Sequence, residues 1–431
     1  MTIAFMLACS GSTVKGPVNE DWCRADLWLY VVSVLGTSSM LQFWVNEAGV
    51  PAARPQGSNP GLENGSFRLG PSRPAASTIA SSRGGNKVQE QGHRNSDAVY
   101  PRIGPKNAEP QHNEPSTHAK RRRAFRRPRS VLISRVGGLA LRGLAWYAQR
   151  LTRESAGRLG ASVGRLALRC TPHRRGIALR NISFALQKSR EESREILAAC
   201  YINLGKCLVE FLRLPTLIRR DELPHLVSAA GEEHLKAALA RGKGVVLLTG
   251  HFGNWELMGA RLVAMGYPVN VLARHQNDKG TTSFVDGLRA TAGMRVISAR
   301  HGIVNTALGC LRRGEIVVFL SDQNAGREGI FVDFFGRLAS THAGAAFCAL
   351  RTGAAVIPAF GVRNPDDTHS GYFLPEMELT RTGSLRKDIE VNTAAFTKIV
   401  EAQIRLRPDM WFWLHDRWRA RPPSETSTPQ D

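Results

Sequence analysis

A histidine and a glutamate stand five residues apart in the segment TGHFGNWE, residues 249–256. The apolar run GVVLLT (244–249) that leads into it has the pattern of a buried strand, ended by Gly250. Ligands of open α/β sheets gather where strands end at their carboxyl side. His251 is therefore placed as a general base, since free imidazole titrates at about 6.5. Five positions inside one helix would turn the two side chains to different faces. With His251 in the loop and Glu256 in the first helical turn, the carboxylate can fold back onto the imidazole. It would then fix the tautomer and stabilise the imidazolium formed as a proton is taken. The spacing alone is weak, because 12 histidines and 36 acidic residues in 431 positions supply about one such pair by chance. The plain alternative is a hydrogen-bonded turn histidine ahead of a helix whose first-turn glutamate answers the helix dipole.

The elements needed to hold such a site can be read around it. Short apolar runs recur at 268–273, 295–298, 315–320 and 355–360, with helical patterns at 254–266, 278–292, 303–313 and 342–352. This alternation predicts an α/β fold with a mixed, largely parallel sheet flanked by helices. Helical stretches at about 131–169, 174–187 and 191–213 precede it, and a helix over about 387–406 leads into the aromatic tail WFWLH (411–415). In the first stretch, spacings of seven and eight keep several of the arginines at 135, 142, 150, 153, 158, 165 and 169 on one helical face, with Leu139, Leu144, Trp146, Tyr147 and Leu151 on the other side. Such a helix suits either a membrane interface or ordinary surface packing.

The chain organises into an extension over 1–130, a folded domain over 131–422 and a disordered tail over 423–431. Residues 46–130 are rich in Pro, Gly, Ser, Asn and Arg, which predicts a disordered arm. Ahead of it, residues 27–45 carry no charge. As a helix they would span about 28 Å, close to a bilayer core of about 30 Å, so this is a candidate membrane segment. Seven cysteines (9, 23, 170, 200, 207, 310 and 348) lie without a Cys-x-x-Cys pair, which excludes a zinc ribbon and argues for reduced thiols facing the cytosol. No metal-ligand cluster is apparent in the spacing.

The net charge of +22 is uneven: residues 101–180 hold 19 basic and 3 acidic side chains, including the basic run at 120–129. A block of this kind seeks polyanions, either an anionic membrane surface or nucleic acid. Only one aromatic interleaves the basic run and no nucleic-acid-binding fold is recognisable, so nucleic acid is the remote reading.

The residues around His251 sharpen the picture. GHFGNWELMG (250–259) resembles the signature of the bacterial lipid A late acyltransferases, the lauroyl/myristoyl transferase family, which shares a His-x4-acid motif with the glycerophosphate acyltransferases. The similarity runs in order through RNISF (180–184), Arg274 with Asn277, SDQNAG (321–326), FVDFFG (331–336), THAG (341–344), RTGA (351–354) with Pro358, and WLHDR (413–417). It implies a glycerophosphate-acyltransferase-like fold and transfer of an acyl chain from acyl carrier protein or acyl-CoA, as co-substrate rather than cofactor, to a hydroxyl on a lipid A precursor or related glycolipid. A phosphatidylinositol mannoside or a lysophospholipid is the alternative acceptor. The place implied is the cytoplasmic face of the inner membrane, peripheral or single-span.

By this resemblance His251 and Glu256 are the catalytic pair and Arg274 is the cation for the oxyanion. The segment matching Asp322 lies at the family's site, so Asp322 is expected to bind or position substrate. Read from the residues themselves, Gly253 and Asn254 are candidates to line the site, Phe335 for an acyl groove or else a core cluster, and His415 with Arg417 for a phosphate or else interface packing. Departures are visible too. Ala273-Arg274-His275 stands where the family has tyrosine-arginine-proline, and Asn324 stands for a second acid. Arginines interrupt the stretch where members carry an apolar anchor helix.

Overall fold

The computed structural model describes residues 128–273, 279–298 and 302–422. The candidate span at 27–45, nearly all of the extension and its basic run, Arg274 and the tail from 423 lie outside these residues. Four helices open the fold: α1 (Pro128–Ala148), α2 (Arg153–Cys170), α3 (Pro172–Leu186) and α4 (Arg190–Leu212). Short helices α5 (Leu214–Arg219) and α6 (Leu223–Leu226) lead to β1 (Val227–Ala230) and α7 (Glu232–Ala240). Then come β2 (Val245–Thr249), α8 (Trp255–Ala264), β3 (Val269–Ala273), α9 (Lys279–Thr291), β4 (Arg295–Ser298), α10 (Ile303–Arg312) and β5 (Ile316–Leu320). A hairpin of β6 (Ile330–Phe334) and β7 (Arg337–Thr341) precedes α11 (Gly344–Thr352), β8 (Ala355–Arg363), β9 (His369–Phe373) and α12 (Leu385–Leu406).

The seven-stranded sheet has the order β1-β9-β8-β2-β5-β3-β4, and the exception to parallel pairing is β8 with β9. Its middle strands are apolar on both faces because helices cover both. Along β2 the pleat sends Val245 and Leu247 to one core with Ile316, Val318 and Ile357, and Val246 and Leu248 to the other with Val317, Phe319 and Val356. The strands read from apolar runs are all present. The sequence reading passed over β1, β9 and the hairpin. The first two are short outer strands diluted by Ser, Ala, Gly and His, and β6–β7 forms outside the main sheet.

The long stretch at 131–169 is two helices. The chain turns at residues 149–152, and Thr152 caps α2 by accepting from the Ser155 N–H. The expected separation of arginines from aromatics also fails. Leu139, Trp146 and Tyr147 are exposed, on the same outer side of α1 as Arg142 and Arg150, and the Arg150 guanidinium lies 3.7 Å from the Trp146 ring centre. A cation–π stack explains the mixture, since the indole face attracts the cation it stands beside. Among the described residues no helix is long and apolar enough to cross a membrane.

Helix α4 starts with a capping box in which Ser189 Oγ accepts from the Glu192 N–H and Glu192 accepts from the Ser189 N–H. It packs on α2 through glycines: a Cβ at Gly164 would lie 2.2 Å from the Tyr201 carbonyl oxygen, and one at Gly205 would lie 2.2 Å from the Gly160 carbonyl oxygen. Both obstacles are backbone, so relief requires the helices to part. Gly205→Ala is expected to destabilise the fold by about 3 kcal/mol. Gly143→Ala on α1 meets nothing within 4 Å and is expected to stabilise, by roughly 0.5–1 kcal/mol. Chemical denaturation of the two variants checks the contrast.

Candidate active site

Strands β2 and β5 are parallel neighbours, with Thr249 opposite Leu320. The loops that follow them leave the same sheet edge side by side, and this puts His251 against Asp322. The Asp322 carboxylate accepts from the His251 main-chain N–H at 2.8 Å through Oδ2, and its Oδ1 lies 2.8 Å from His251 Nδ1. The Trp411 indole N–H donates to Oδ2 at 2.7 Å. Burial alone would raise Asp322, but the charge of His251, the His251 hydrogen bonds and the indole outweigh it and hold the carboxyl at about 2. An ionised carboxylate only accepts, so Nδ1 carries a proton, and in the neutral ring the lone pair sits on Nε2. The Gln323 amide nitrogen lies 3.3 Å from that Nε2.

The C-terminal segment straps this loop in place. Phe252 and Trp411 form an antiparallel bridge, the Phe412 N–H donates to the His251 carbonyl at 3.0 Å, and the Gly253 N–H donates to the Met410 carbonyl at 2.9 Å. Gly253 has φ 58°, and a Cβ there would sit 1.8 Å from the Gly361 carbonyl oxygen, so glycine is required by packing as well as by conformation. Asn254 caps α8 by accepting from the Leu257 N–H and donates to Glu210 at 2.7 Å. Glu210 in turn holds the buried Arg363 on β8, and His369 Nε2 lies 3.2 Å away. Burial alone would raise Glu210, but Arg363 and then His369 hold it well below the carboxylate range. The expectation that Gly253 and Asn254 line the substrate is thus corrected: their groups are spent on fixing the loop and the start of α8.

Glu256 is corrected as well. Its carboxylate turns to α9 and accepts from Arg289, at 3.0 Å from Nε and 2.5 Å from Nη2. A buried carboxylate is best matched by a planar two-pronged cation, and the imidazole it was expected to orient already gives Nδ1 to Asp322. Glu256 and Arg289 still border the same cavity as His251.

Three further expectations change. Phe335 is core rather than groove: it occupies the two-residue β6–β7 turn with Gly336, at φ 57° and 78°, the positive-φ pair of a type I′ hairpin. An aromatic residue is strained there. Its N–H is held by Glu401 at 2.8 Å, and its ring packs beside Trp413 and Trp418. Arg417 is fully buried. It donates to the Ser340 carbonyl and Thr341 Oγ1 and lies over the Phe334 ring, tying the tail to the hairpin. His415 accepts the Asn324 N–H at 2.9 Å through Nε2, and burial followed by the Arg417 charge pushes it down to about 3. His415 is neutral with its Nε2 engaged, and the Arg417 guanidinium is turned to the hairpin, so neither residue offers a free cation to an incoming phosphate.

A narrow cavity of about 80 Å³ opens beside His251. Leu247, Met258, Leu262, Val271, Met294 and Val318 make it apolar, while Thr249, His251, Ser321 and His342 supply its polar groups. Among the described residues no three His, Cys, Asp or Glu side chains converge as metal ligands. Trp411, Gln323 and Arg289 take part in the site without having been singled out. Trp411 and Gln323 sit inside the WFWLH and SDQNAG segments, whose spacing carries no partner information. For Arg289 there was no local signal.

The model of the bacterial lipid A biosynthesis acyltransferase family matches residues 119–420. The chain is 30% identical to a lipid A biosynthesis palmitoleoyltransferase of Escherichia coli K12 over 294 residues, 66% of this chain and 92% of that protein. It is 28% identical to the lauroyltransferase of the same strain over 286 residues, covering 65% and 90%. A phosphatidylinositol mannoside acyltransferase of Mycobacterium tuberculosis is 28% identical over 238 residues, covering 52% and 71%.

The three donors around Asp322 make a pH prediction. A depressed carboxyl contributes stability that is present above its ordinary pKa and lost as pH falls through its folded value. Trp411→Phe removes one donor, so Asp322 rises and that loss begins at higher pH. The variant is expected to lose about 1.5–3 kcal/mol at neutral pH and to unfold at a higher pH in an acid titration followed by circular dichroism. An unmoved midpoint would contradict the assignment.

Proposed function

Because the chain belongs to the bacterial lipid A biosynthesis acyltransferase family and is an acyltransferase, we propose that it moves a fatty acyl chain from acyl carrier protein or coenzyme A to a hydroxyl of a lipid A precursor or related glycolipid, with His251 as general base. The observation that supports this most is the buried contact of His251 with Asp322, which leaves Nε2 as the basic nitrogen. In this reading the acceptor hydroxyl displaces the Gln323 amide from Nε2 and gives its proton to that nitrogen as its oxygen attacks the thioester carbonyl. Asp322 stabilises the imidazolium. The tetrahedral intermediate then collapses, the carbon–sulfur bond breaks, and the imidazolium returns the proton to the leaving thiolate. No acyl-enzyme is required. Glu256 acts through Arg289 to hold α9 against the cavity, and the acyl chain takes the apolar lining. Arg274, which directly follows the cavity-lining Ala273, is assigned a cationic contact to the acyl oxygen.

The acceptor reading favours lipid A, because similarity extends over 92% of the Escherichia coli palmitoleoyltransferase and 71% of the mannoside acyltransferase. A mannosylated phosphatidylinositol is the second acceptor to test. We also place the enzyme at the cytoplasmic face of the inner membrane. The outer side of α1, with Leu139 and Trp146 exposed beside Arg142 and Arg150, would lie in the interface. Arg158, Arg165 and Arg169 on the exposed side of α2 add positive charge that suits anionic lipid and an acidic thioester carrier alike.

His251→Ala and Asp322→Asn are each expected to lower kcat by roughly 10²- to 10⁴-fold in a labelled acyl-transfer assay. Wild-type turnover in His251→Ala would overturn the mechanism, and labelling of mannosylated phosphatidylinositol but not of a lipid A precursor would overturn the acceptor. Trp146→Glu is expected to reduce co-sedimentation with anionic vesicles, and the loss should shrink as salt screens the arginine contribution.

A further inference from the structure

Among the polar side chains at the cavity, His342 has neither a task in this mechanism nor a partner within the protein. His342 lies between the end of β7 and the start of α11, and it is 5% exposed. Neither of its ring nitrogens has a hydrogen-bond partner. It lines the same cavity as His251, Thr249 and Ser321. Gly344 and Ala345, the first residues of α11, line that cavity too, and the Ala343 N-cap offers no side-chain cap. The first-turn N–H groups of a helix have no intrahelical acceptor, and they carry the positive end of its dipole.

A buried imidazole with both nitrogens unpaired costs stability, because it has lost water and gained nothing in exchange. A polar group entering the cavity would supply the partner that the protein does not. We propose that His342, with the first turn of α11, binds the acyl oxygen of the thioester and the oxyanion that forms from it. The inference rests on the acyl-transfer reading above and adds a contact that the family resemblance does not supply.

The chemistry fits a neutral donor. Burial, reinforced by the Arg417 charge, pushes His342 down to about 3, so at neutral pH the ring carries one N–H and no charge. A neutral ring of this kind donates a hydrogen bond without releasing its proton. In the attack step the acceptor oxygen bonds to the acyl carbon, the carbonyl π pair moves onto the acyl oxygen, and the acceptor's proton goes to His251. His342 keeps its own proton throughout. Its N–H and the α11 N–H groups are already oriented before charge develops, which is what makes such donors effective.

The test uses the full chain and compares His342→Phe with His342→Asn. Removing one oxyanion donor is expected to lower kcat by ~10²–10³-fold in the phenylalanine variant, with the donor KM changed by no more than about threefold. Asparagine, which keeps an N–H, is expected to recover part of that loss. Since His342→Phe replaces an unpaired polar ring with an apolar one, its melting temperature should stay level or rise. A role confined to structure would instead lower stability and activity together. Because His342 does not titrate near neutrality, the limbs of the kcat–pH profile should keep their positions in both variants. Turnover of His342→Phe within about threefold of wild type, a joint fall of kcat and melting temperature that asparagine does not repair, or a displaced pH limb would each overturn the proposal. His251→Ala run alongside separates the two readings: wild-type turnover there removes the base assignment, whereas the His342 contrast stands or falls on its own measurements.

Discussion

The parallel pairing of β2 with β5 is the constraint from which the rest of the site follows. An imidazole and a carboxylate 71 residues apart in the chain meet because their strands are neighbours in register and end at the same edge. A buried carboxylate needs compensation for lost water, and Asp322 obtains it from a ring N–H, a main-chain N–H and an indole N–H together. Those contacts also settle which histidine nitrogen is basic. One pairing in the sheet thereby decides which nitrogen of His251 is held by a carboxylate.

Around that centre the structure spends much of its polar material on rigidity. Gly253, Asn254, Glu210 and Arg363 tie the histidine loop to α4 and β8, and the 410–417 segment ties it to the hairpin and to α3, where Asn181 donates to the Trp413 and His415 carbonyls. Several residues that attract attention as substrate contacts in the sequence belong to this scaffold. The reason is common to them. A functional-looking arginine or histidine inside a family-like motif can serve the loop's backbone as readily as a ligand, and only burial and partners tell the two apart. Arg417 and His415 are instances, since both end their hydrogen bonds on protein atoms.

The contrast between Asp322 and His342 is informative. Both are buried, but Asp322 sits behind His251 and is saturated with donors, whereas His342 lines the cavity and is unpaired. A saturated group orients its neighbour, and an unpaired one waits for a partner from outside. Glu256 belongs with the first kind, although its partner is Arg289 and its effect falls on the cavity wall.

Much of the architecture could be read from local pattern. Buried parallel strands announce themselves as apolar runs, helices between them by their period, and the candidate histidine by its place after the first such run. The break at residues 149–152 and the type I′ turn at Phe335 and Gly336 were hidden, the first because periodicity carries across a short turn, the second because an aromatic residue at positive φ contradicts its own preference. Partner choice was hidden more deeply. Spacing put Glu256 within reach of His251, but reach is a property of a short segment, whereas the contact depends on strand order, on which carboxylate arrives first, and on where Arg289 comes to rest. The sequence by itself determined the family, the strand–helix alternation and the histidine. Only the tertiary structure decided that Asp322 holds that histidine, because the choice between two carboxylates is made by packing across the sheet edge and not by distance along the chain.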